Sequence, residues 1–270
     1  MSSLEHINCP ICEKDDTAPL FDKDSLSVVI CQHCRLRYVN PRVNRQMLET
    51  TYTETYYPPD KVERIHTGGM EWLQMRERLT ELEARHPSKG RLLDVGCGIG
   101  TFLHLARERG WESHGIDPSK SGSTFAKEQY KLNVQCGYIF DANFPSAYFD
   151  AITLYHVLEH ISELNPFLSE LRRVLNPQSG TLVIEVPNGE SLQSRLQKAD
   201  WPYVHPRDHL YYFSAHSLPS LLEKHGFRDI TLGKPKRVSP TTGLRFILRQ
   251  AATAMLVRSH LGTVIRVYAS

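Results

Sequence analysis

The sequence predicts an α/β protein with a mostly parallel, seven-stranded sheet, helices on both faces and a small cysteine-bearing module at its N-terminus. From residue 89 onward, short apolar runs alternate with amphipathic helical patterns. The connections between them are short, which favours a parallel sheet covered on both faces. Two Cys-x-x-Cys pairs stand ahead of this region, within residues 1–44.

The N-terminal module contains two cysteine pairs, Cys9 with Cys12 and Cys31 with Cys34. Their spacing is typical of a zinc-ribbon-like site with four thiolate ligands. Two disulfides are the alternative, but a reducing compartment argues against them. We predict a structural Zn²⁺, because a closed four-cysteine site leaves no coordination position for a substrate.

Residues 45–88 are predicted as a helical linker and cap over the cofactor site. Asn40-Pro41 and Pro58-Pro59 mark turns around a short helix and a tyrosine-rich segment. A longer helix is predicted over residues 69–85, where apolar positions follow the helical period.

Residues 89–270 are predicted as the main domain. Its strands are expected at 91–96, 111–117, 133–137, 150–156, 181–188, 229–232 and 263–270, and its helices at 101–109, 120–130, 163–174 and 218–225. Residues 188–215 interrupt the alternation at the carboxyl end of a strand, where ligands bind in such sheets. They are predicted as a lid or substrate wall, with a purely structural flap as the alternative. Residues 241–259 are predicted as a helical insertion.

The segment LLDVGCGIG, residues 92–100, joins the first strand of this domain to its first helix. Gly96, Gly98 and Gly100 alternate, whereas the dinucleotide fingerprint G-x-G-x-x-G would require a glycine in place of Thr101. The spacing therefore departs from the pattern expected for NAD.

Two acids around this turn predict the ligand. Asp94 precedes the glycines, where a carboxylate would repel a pyrophosphate and attract a cation. Asp117 ends the next strand, where it can accept hydrogen bonds from a ribose diol. S-adenosylmethionine has an ammonium, a sulfonium and no phosphate, so these acids favour it over NAD.

Five segments in this order resemble the Rossmann-like class I S-adenosylmethionine-dependent methyltransferase fold: LLDVGCGIGTF, GIDPS, YFDAITLYHVLEHI, LNPQSGTLVIEVPN and HLYYFSAHSLPSLLEKHGF. Together with the N-terminal CxxC…CxxCRLRYVNPR, they resemble a bacterial branch of that family which carries a cysteine module. The resemblance covers nearly the whole chain. It implies a methyltransferase with S-adenosyl-L-methionine as cofactor.

The resemblance also implies roles for individual residues. Those expected to contact the cofactor are Asp94 at the ammonium, Gly96, Cys97, Gly98 and Gly100 along the methionine and adenosyl parts, Asp117 at the ribose, Pro118 in the turn beside it, Tyr138 and Ile139 at the adenine, and His156 beside the transferred methyl group. Members of the family often have a small residue or an acid at the adenine position, and this chain departs from that pattern.

Transfer to a hydroxyl or an acidic carbon requires a base, and histidine suits that role near neutral pH. His209 is predicted as the base, with the alternative that it fixes the lid to the core. His156 is predicted to shape the site, and Glu159 and His160 to orient loops. Four tyrosines could pack over the cofactor or within the lid: Tyr56, Tyr57, Tyr211 and Tyr212.

The predicted acceptor is a small molecule or a glycan, including a nucleotide- or lipid-linked sugar, methylated on a hydroxyl, carboxyl or carbon. The alternatives are an RNA methyltransferase whose zinc module grips nucleic acid, and a non-catalytic cofactor-binding scaffold. Nucleic acid is disfavoured because the cysteine segment, residues 9–34, is acidic: it has Lys14 and Lys23 against Glu13, Asp15, Asp16, Asp22 and Asp24.

The chain has 32 basic and 30 acidic residues, but its C-terminal part is basic. From residue 230 onward no acid accompanies Lys234, Lys236, Arg237, Arg245, Arg249, Arg258 and Arg266. We favour a solvated or docked segment over contact with a membrane surface. No run approaches the roughly 20 apolar residues that span a bilayer, and MSSLEHINCP lacks the features of a signal peptide. We therefore expect a cytoplasmic protein.

Overall fold

A computed structural model describes residues 4–51, 57–66, 69–233 and 261–270 of the chain. The helical insertion predicted at 241–259, and six of the seven basic residues of the C-terminal part, lie outside these ranges. Among the described residues, no helix combines the length and the apolar character that crossing a membrane requires.

The cysteine module is built from short antiparallel strands. They are β1 Leu4–Glu5, β2 Thr17–Lys23, β3 Leu26–Cys31, β4 Arg37–Val39 and β5 Arg42–Val43. β2 and β3 form a hairpin whose turn residues, Asp24 and Ser25, both have positive φ, as tight hairpin turns require. β4 continues this sheet beside β3, and β1 pairs separately with β5.

Three helices follow the module: α1 Arg45–Thr51, α2 Pro59–His66 and α3 Met70–Arg85. The boundaries of α3 agree with the helix predicted over residues 69–85. Leu79 and Leu82, which are three residues apart on one helical face, are fully buried.

The main domain alternates strands and helices as predicted. Its elements are β6 Arg91–Val95, α4 Thr101–Glu108, β7 Glu112–Asp117, α5 Lys120–Tyr130, β8 Asn133–Cys136, β9 Ala151–Tyr155, α6 Leu164–Val174, β10 Thr181–Pro187, α7 Leu192–Gln197, β11 Tyr211–Tyr212, α8 Ser217–Lys224, β12 Thr231–Leu232 and β13 Val264–Ala269.

Seven of these strands form one sheet in the order β12-β13-β10-β9-β6-β7-β8. β13 is antiparallel to both of its neighbours, and the other described pairings are parallel. The sequence prediction of a mostly parallel seven-stranded sheet is therefore confirmed. The strand order reverses between β6 and β9, so the crevice at their carboxyl ends is the expected place for a ligand.

Apolar side chains of the central strands form the core. Leu92, Leu93, Ile152, Leu154 and Ile184 have no exposed surface, although neighbouring residues on one strand face opposite sides of the sheet. Both faces are therefore covered, as in other parallel sheets. Burying each such side chain stabilises the fold by about 1.5–3 kcal/mol.

A buried ion network ties α3 to the sheet. Arg266 of β13 donates to Glu185 of β10 at 2.7 Å, and to Glu77 and Glu81 of α3 at 2.9 and 2.8 Å. Arg78 of α3 also donates to Glu185. Arg266 is 3 % exposed, so it belongs to the interior and adds nothing to a basic surface.

The segment predicted as a lid, residues 188–215, joins the sheet of the cysteine module. Its strand β11 pairs antiparallel with β4, which gives the order β11-β4-β3-β2. Trp201 and Phe213 of the same segment are buried in the shared core. The sheet therefore crosses the boundary predicted at residue 44.

Candidate cofactor and acceptor site

A cavity opens at the carboxyl ends of β6, β7 and β9. The space between its walls, counted together with the open solvent at its mouth, is about 1010 Å³. Its described lining residues are Arg45, Leu48, Glu49, Tyr57, Val95, Gly96, Ile116, Asp117, Pro118, Gly137, Tyr138, Ile139, Phe140, His156, Val157, His160, Ile161, Ser162, Glu163 and Phe167.

The turn after β6 requires glycine for two reasons. Gly96 and Gly98 have φ of 72° and 55°, a region that disfavours residues with a Cβ. A Cβ at Gly96 would also collide with Val157, and one at Gly98 would lie 2.5 Å from the Tyr57 hydroxyl. The backbone of the turn thus runs close to the cavity and to the aromatic ring above it.

Asp117 is held by the backbone around it. The N–H of Gly98 donates to Oδ2 at 2.7 Å, and the N–H of Ser119 donates to Oδ1 at 2.8 Å. Burial raises the pKa of Asp117, and these two hydrogen bonds limit the rise. Each carboxylate oxygen has a second lone pair, so the side chain can accept further hydrogen bonds from a ligand in the cavity.

Asp94 lies deeper, on β6. It is 4 % exposed, and its Oδ1 accepts a hydrogen bond from the Thr153 hydroxyl at 2.7 Å. Burial raises the pKa of Asp94 to about 7, against the effects of the Thr153 hydrogen bond and the charge of Arg78. Asp94 does not line the described cavity, but the next two residues do.

Six of the ten predicted cofactor residues meet in this one cavity. They are Gly96, Asp117, Pro118, Tyr138, Ile139 and His156. Tyr138 and Ile139 follow β8 and Asp117 ends β7, so the two neighbouring strand ends form one wall.

The other predicted cofactor residues lie around the turn. Cys97 is buried against Gly115 of β7, and Gly98 contacts Asp117 and Tyr57. Gly100 is the N-cap residue that precedes α4, and it packs against Ala126. These residues shape the turn without lining the described cavity.

His156 lies between two carboxylates. Its Nδ1 is 3.4 Å from Oε1 of Glu159, and its Nε2 is 3.6 Å from Oε1 of Glu185. Burial lowers the pKa of His156, but Glu159 and Glu185 outweigh it and raise the pKa to about 9. The ring stacks on Tyr203, and the backbone has a φ of 58°, which is rare without glycine. His156 is therefore a fixed cation at the cavity wall.

The predicted base His209 lies beside His160, with ring centroids 4.6 Å apart. His160 lines the cavity, and His209 does not. The Nδ1 of His209 is 2.8 Å from the carbonyl oxygen of Tyr203. Burial and the neighbouring His160 lower the pKa of His209 to about 4, which makes its imidazole a weak base.

Helix α1 supplies lining residues that the sequence analysis did not identify. Arg45 donates to Glu49 at 2.7 Å on the same helix and to Glu163 at 2.8 Å across the cavity rim. Leu48 lines the cavity beside them, and Phe167 comes from α6. The positions of Arg45 and Glu163 are 118 residues apart, so no local pattern could connect them.

The insertion at residues 188–215 contributes none of the described lining residues. It reaches the cavity indirectly, because Tyr203 stacks on His156 and the N–H of Leu210 donates to the carbonyl of Glu159 at 2.8 Å. Tyr211 and Tyr212 belong to β11, while Tyr57 lines the cavity and Tyr56 lies outside the described residues.

The four cysteines of the module converge. The sulfur atoms of Cys9 and Cys34 are 3.3 Å apart, those of Cys12 and Cys31 are 3.4 Å apart, and all four lie within 4.8 Å of one another. Four ligands at about 2.3 Å from a tetrahedral zinc are about 3.8 Å apart. The cluster therefore fits the donor set and the size of a zinc site.

The chain matches a family model described as a methyltransferase domain over residues 70–232. It is 30 % identical over 103 residues to a ubiquinone biosynthesis O-methyltransferase of Bradyrhizobium sp. strain ORS 278. The aligned region covers 36 % of this chain and 40 % of that protein. The chain spans between 40 % and 62 % of the lengths of three curated relatives.

Solved structures show the same fold. An S-adenosylmethionine-dependent methyltransferase of Archaeoglobus fulgidus is 27 % identical with a TM-score of 0.57, over 80 % of this chain and 99 % of that one. The phosphoethanolamine N-methyltransferase 2 of Haemonchus contortus, in complex with S-adenosyl-L-methionine, has a TM-score of 0.60 at 18 % identity, over 86 % of this chain and 61 % of that one. The family model covers more than half of the chain, and the strand order and the cavity agree with it: the protein belongs to the methyltransferase domain family.

Proposed function

We propose that the protein is an S-adenosylmethionine-dependent methyltransferase that acts on a small-molecule or glycan acceptor. The observation that carries the proposal is the meeting of Gly96, Asp117, Tyr138, Ile139 and His156 in one cavity at the point where the strand order reverses.

The cofactor would lie across the ends of β6, β7 and β8. Asp117, fixed by Gly98 and Ser119, would accept the ribose hydroxyls, and Tyr138 and Ile139 would flank the adenine. Asp94 would attract the ammonium through a water molecule, because its carboxylate lies below the turn. When bound, the cofactor supplies an electrophilic methyl group.

The acceptor would occupy the part of the cavity between α1 and α6. Leu48, Ile161 and Phe167 give this part apolar walls, and the Arg45–Glu163 ion pair stands at the rim. Walls of this kind suit the apolar body of a small molecule, and a charged rim suits a polar substituent. Because a curated relative is an O-methyltransferase, a hydroxyl acceptor is the first class to test.

Positioning and exclusion of water would provide much of the rate enhancement in this reaction. His156, with a carboxylate at each ring nitrogen, would act as a fixed positive group at the wall rather than as a base. His209 stays the proposed base. Because His160 lines the cavity and His209 lies behind it, the acceptor's proton would have to pass His160 to reach His209.

The cysteine cluster would hold a structural zinc ion. Its effect on the site would be indirect, through the pairing of β4 with β11 and the hydrogen bond from Arg42 to the hydroxyl of Tyr211 at 2.5 Å. That hydroxyl in turn donates to the carbonyl of Ser162, a lining residue, at 3.2 Å.

The test is a transfer assay with methyl-labelled S-adenosylmethionine against phenolic and sugar-nucleotide hydroxyl acceptors, carboxylic acids, and total RNA. The proposal expects label in at least one small molecule, lost in Asp117→Asn and retained in Asp200→Asn, an exposed aspartate outside the cavity. Label that enters only RNA would overturn the proposed acceptor class, and cofactor binding without transfer to any acceptor would support a scaffold.

A further inference from the structure

Three side chains of types that bind metal ions lie together beside the cavity, and none of them is among the predicted cofactor residues. They are Glu159 and His160, from the short helix Leu158–His160 after β9, and His209 from the insertion. One ligand atom from each lies within 4.8 Å of the other two. Two ligands of one first-row metal ion are about 3–4 Å apart, since each bond is about 2.1 Å long, so small side-chain rotations would bring these three to one ion.

Glu159 brings a buried negative charge to this group. Its side chain is 1 % exposed, and neither carboxylate oxygen accepts a hydrogen bond from the residues that the structure describes. Nδ1 of His156 lies 3.4 Å from Oε1. A buried carboxylate is costly unless it is both paired and hydrogen-bonded. The His156 imidazolium supplies a charge partner, but both oxygens still lack a hydrogen bond from the described residues.

The two histidines are oriented by backbone carbonyls. Nδ1 of His160 is 2.9 Å from the carbonyl oxygen of Asp208, and Nδ1 of His209 is 2.8 Å from that of Tyr203. A carbonyl oxygen only accepts, so each Nδ1 donates its proton there, which in a neutral imidazole leaves the lone pair on Nε2. Metal-binding histidines in proteins are typically oriented in this way.

We propose that Glu159, His160 and His209 bind a divalent first-row transition-metal ion. Two imidazoles and one carboxylate suit such an ion, and three protein ligands leave further coordination positions open. His160 lines the cavity, so the ion lies at its wall. If the proposed methyl transfer to a hydroxyl also occurs, an acceptor hydroxyl that reaches an open position would lose its proton more readily. The ion would then replace His209 in the role of base proposed above.

Metal content tests the proposal without any methyl transfer. The wild-type protein and its variants are equilibrated with Zn²⁺, desalted and measured by plasma mass spectrometry. We expect Glu159→Gln and His209→Asn each to hold one zinc ion per chain fewer than the wild type. His216→Asn removes an exposed histidine at the start of α8 and should leave the count unchanged.

Cobalt identifies the ligands. Protein reconstituted with Co²⁺ should show thiolate-to-cobalt charge transfer from the cysteine cluster and a separate visible band that both variants lose. Unchanged S-adenosylmethionine affinity and thermal unfolding in at least one variant show that it folds. Equal metal counts in all four proteins, with a cobalt spectrum that the variants do not change, would overturn the proposal. Neither outcome depends on whether an acceptor has been found.

Discussion

The backbone N–H of Gly98 donates a hydrogen bond of 2.7 Å to the Asp117 carboxylate, which joins the glycine turn after β6 to the end of β7. The turn and the acid were predicted to hold different parts of one ligand. The bond shows that they also hold each other, which fixes the ribose end of the proposed site within the fold.

Replacing Asp117 should weaken cofactor binding more than it weakens the fold. Asp117→Asn retains the size of the side chain but loses the charge and one acceptor oxygen. We expect S-adenosylmethionine affinity to fall about 10- to 100-fold, a loss of roughly 1.4–2.8 kcal/mol, measured by calorimetry. Asp200→Asn is the matched control, and an equal loss of affinity in both variants would refute the ribose role.

Asp94 should make cofactor binding pH-dependent. Its pKa of about 7 lies above the ordinary value because of burial, and a cationic ligand favours the ionised form. Affinity should therefore be complete above pH 7 and fall as the pH drops through 7, by up to about tenfold per unit. The Asp94→Asn variant should bind S-adenosylmethionine weakly at pH 8, and its affinity should not fall further as the pH drops through 7.

The same burial predicts that Asp94→Asn stabilises the ligand-free protein. The folded state keeps the Asp94 proton to a higher pH than the unfolded state does, so the wild-type residue lowers stability as the pH rises from about 4 to 7. Thermal unfolding at pH 8 should occur at a higher temperature in the variant. An unchanged or lower unfolding temperature would show that the buried Asp94 carboxylate does not destabilise the ligand-free folded protein.

The ion network around Arg266 should be among the most sensitive structural features. Arg266→Met leaves Glu185 short of a buried partner and removes the Arg266 hydrogen bonds to Glu77 and Glu81, although Glu81 keeps the hydrogen bond from the Tyr268 hydroxyl. We expect a loss of about 3–5 kcal/mol of unfolding free energy, measured by urea denaturation. Arg173→Met removes a partly exposed arginine that pairs with Glu170 and donates to the carbonyl of Phe144, and it should cost less than Arg266→Met.

Loss of the zinc ion proposed for the cysteine cluster should affect the proposed acceptor side of the cavity more than the proposed cofactor side. Cys31→Ser removes one sulfur of the cysteine cluster from β3, which pairs with β4. β4 in turn pairs with β11, whose Tyr211 hydroxyl donates to the carbonyl of Ser162. Hydrogen exchange should increase in β4 and β11, while S-adenosylmethionine affinity changes less than threefold. Cys136→Ser, an exposed cysteine outside the cluster, is the control, and equal exchange in both variants would contradict the structural coupling.

Much of the fold, and the wall proposed to hold the cofactor, could be predicted because both follow from local patterns. Apolar runs marked the parallel strands, and the carboxyl ends of such strands meet at one edge of the sheet. Asp117, Tyr138 and His156 were therefore expected to be neighbours although they are far apart in the chain.

The acceptor side could not be predicted, because it depends on contacts between distant segments. The two-residue strand β11 has no periodicity, and its pairing with β4 appears only in three dimensions. The side chain of His209 could be recognised by its chemistry, but its direction is set by the Tyr203 carbonyl and by packing against His160. For the same reason the sequence did not indicate that Glu159, His160 and His209 form one group.

Calorimetric titration of the purified protein with S-adenosylmethionine, S-adenosylhomocysteine, NAD and ATP tests the central claim most directly. The arrangement of Asp94 and Asp117 around the glycine turn predicts saturable binding of the two adenosyl sulfur compounds and none of the two phosphorylated nucleotides. Tight binding of NAD or ATP, with no heat from S-adenosylmethionine, would contradict the account.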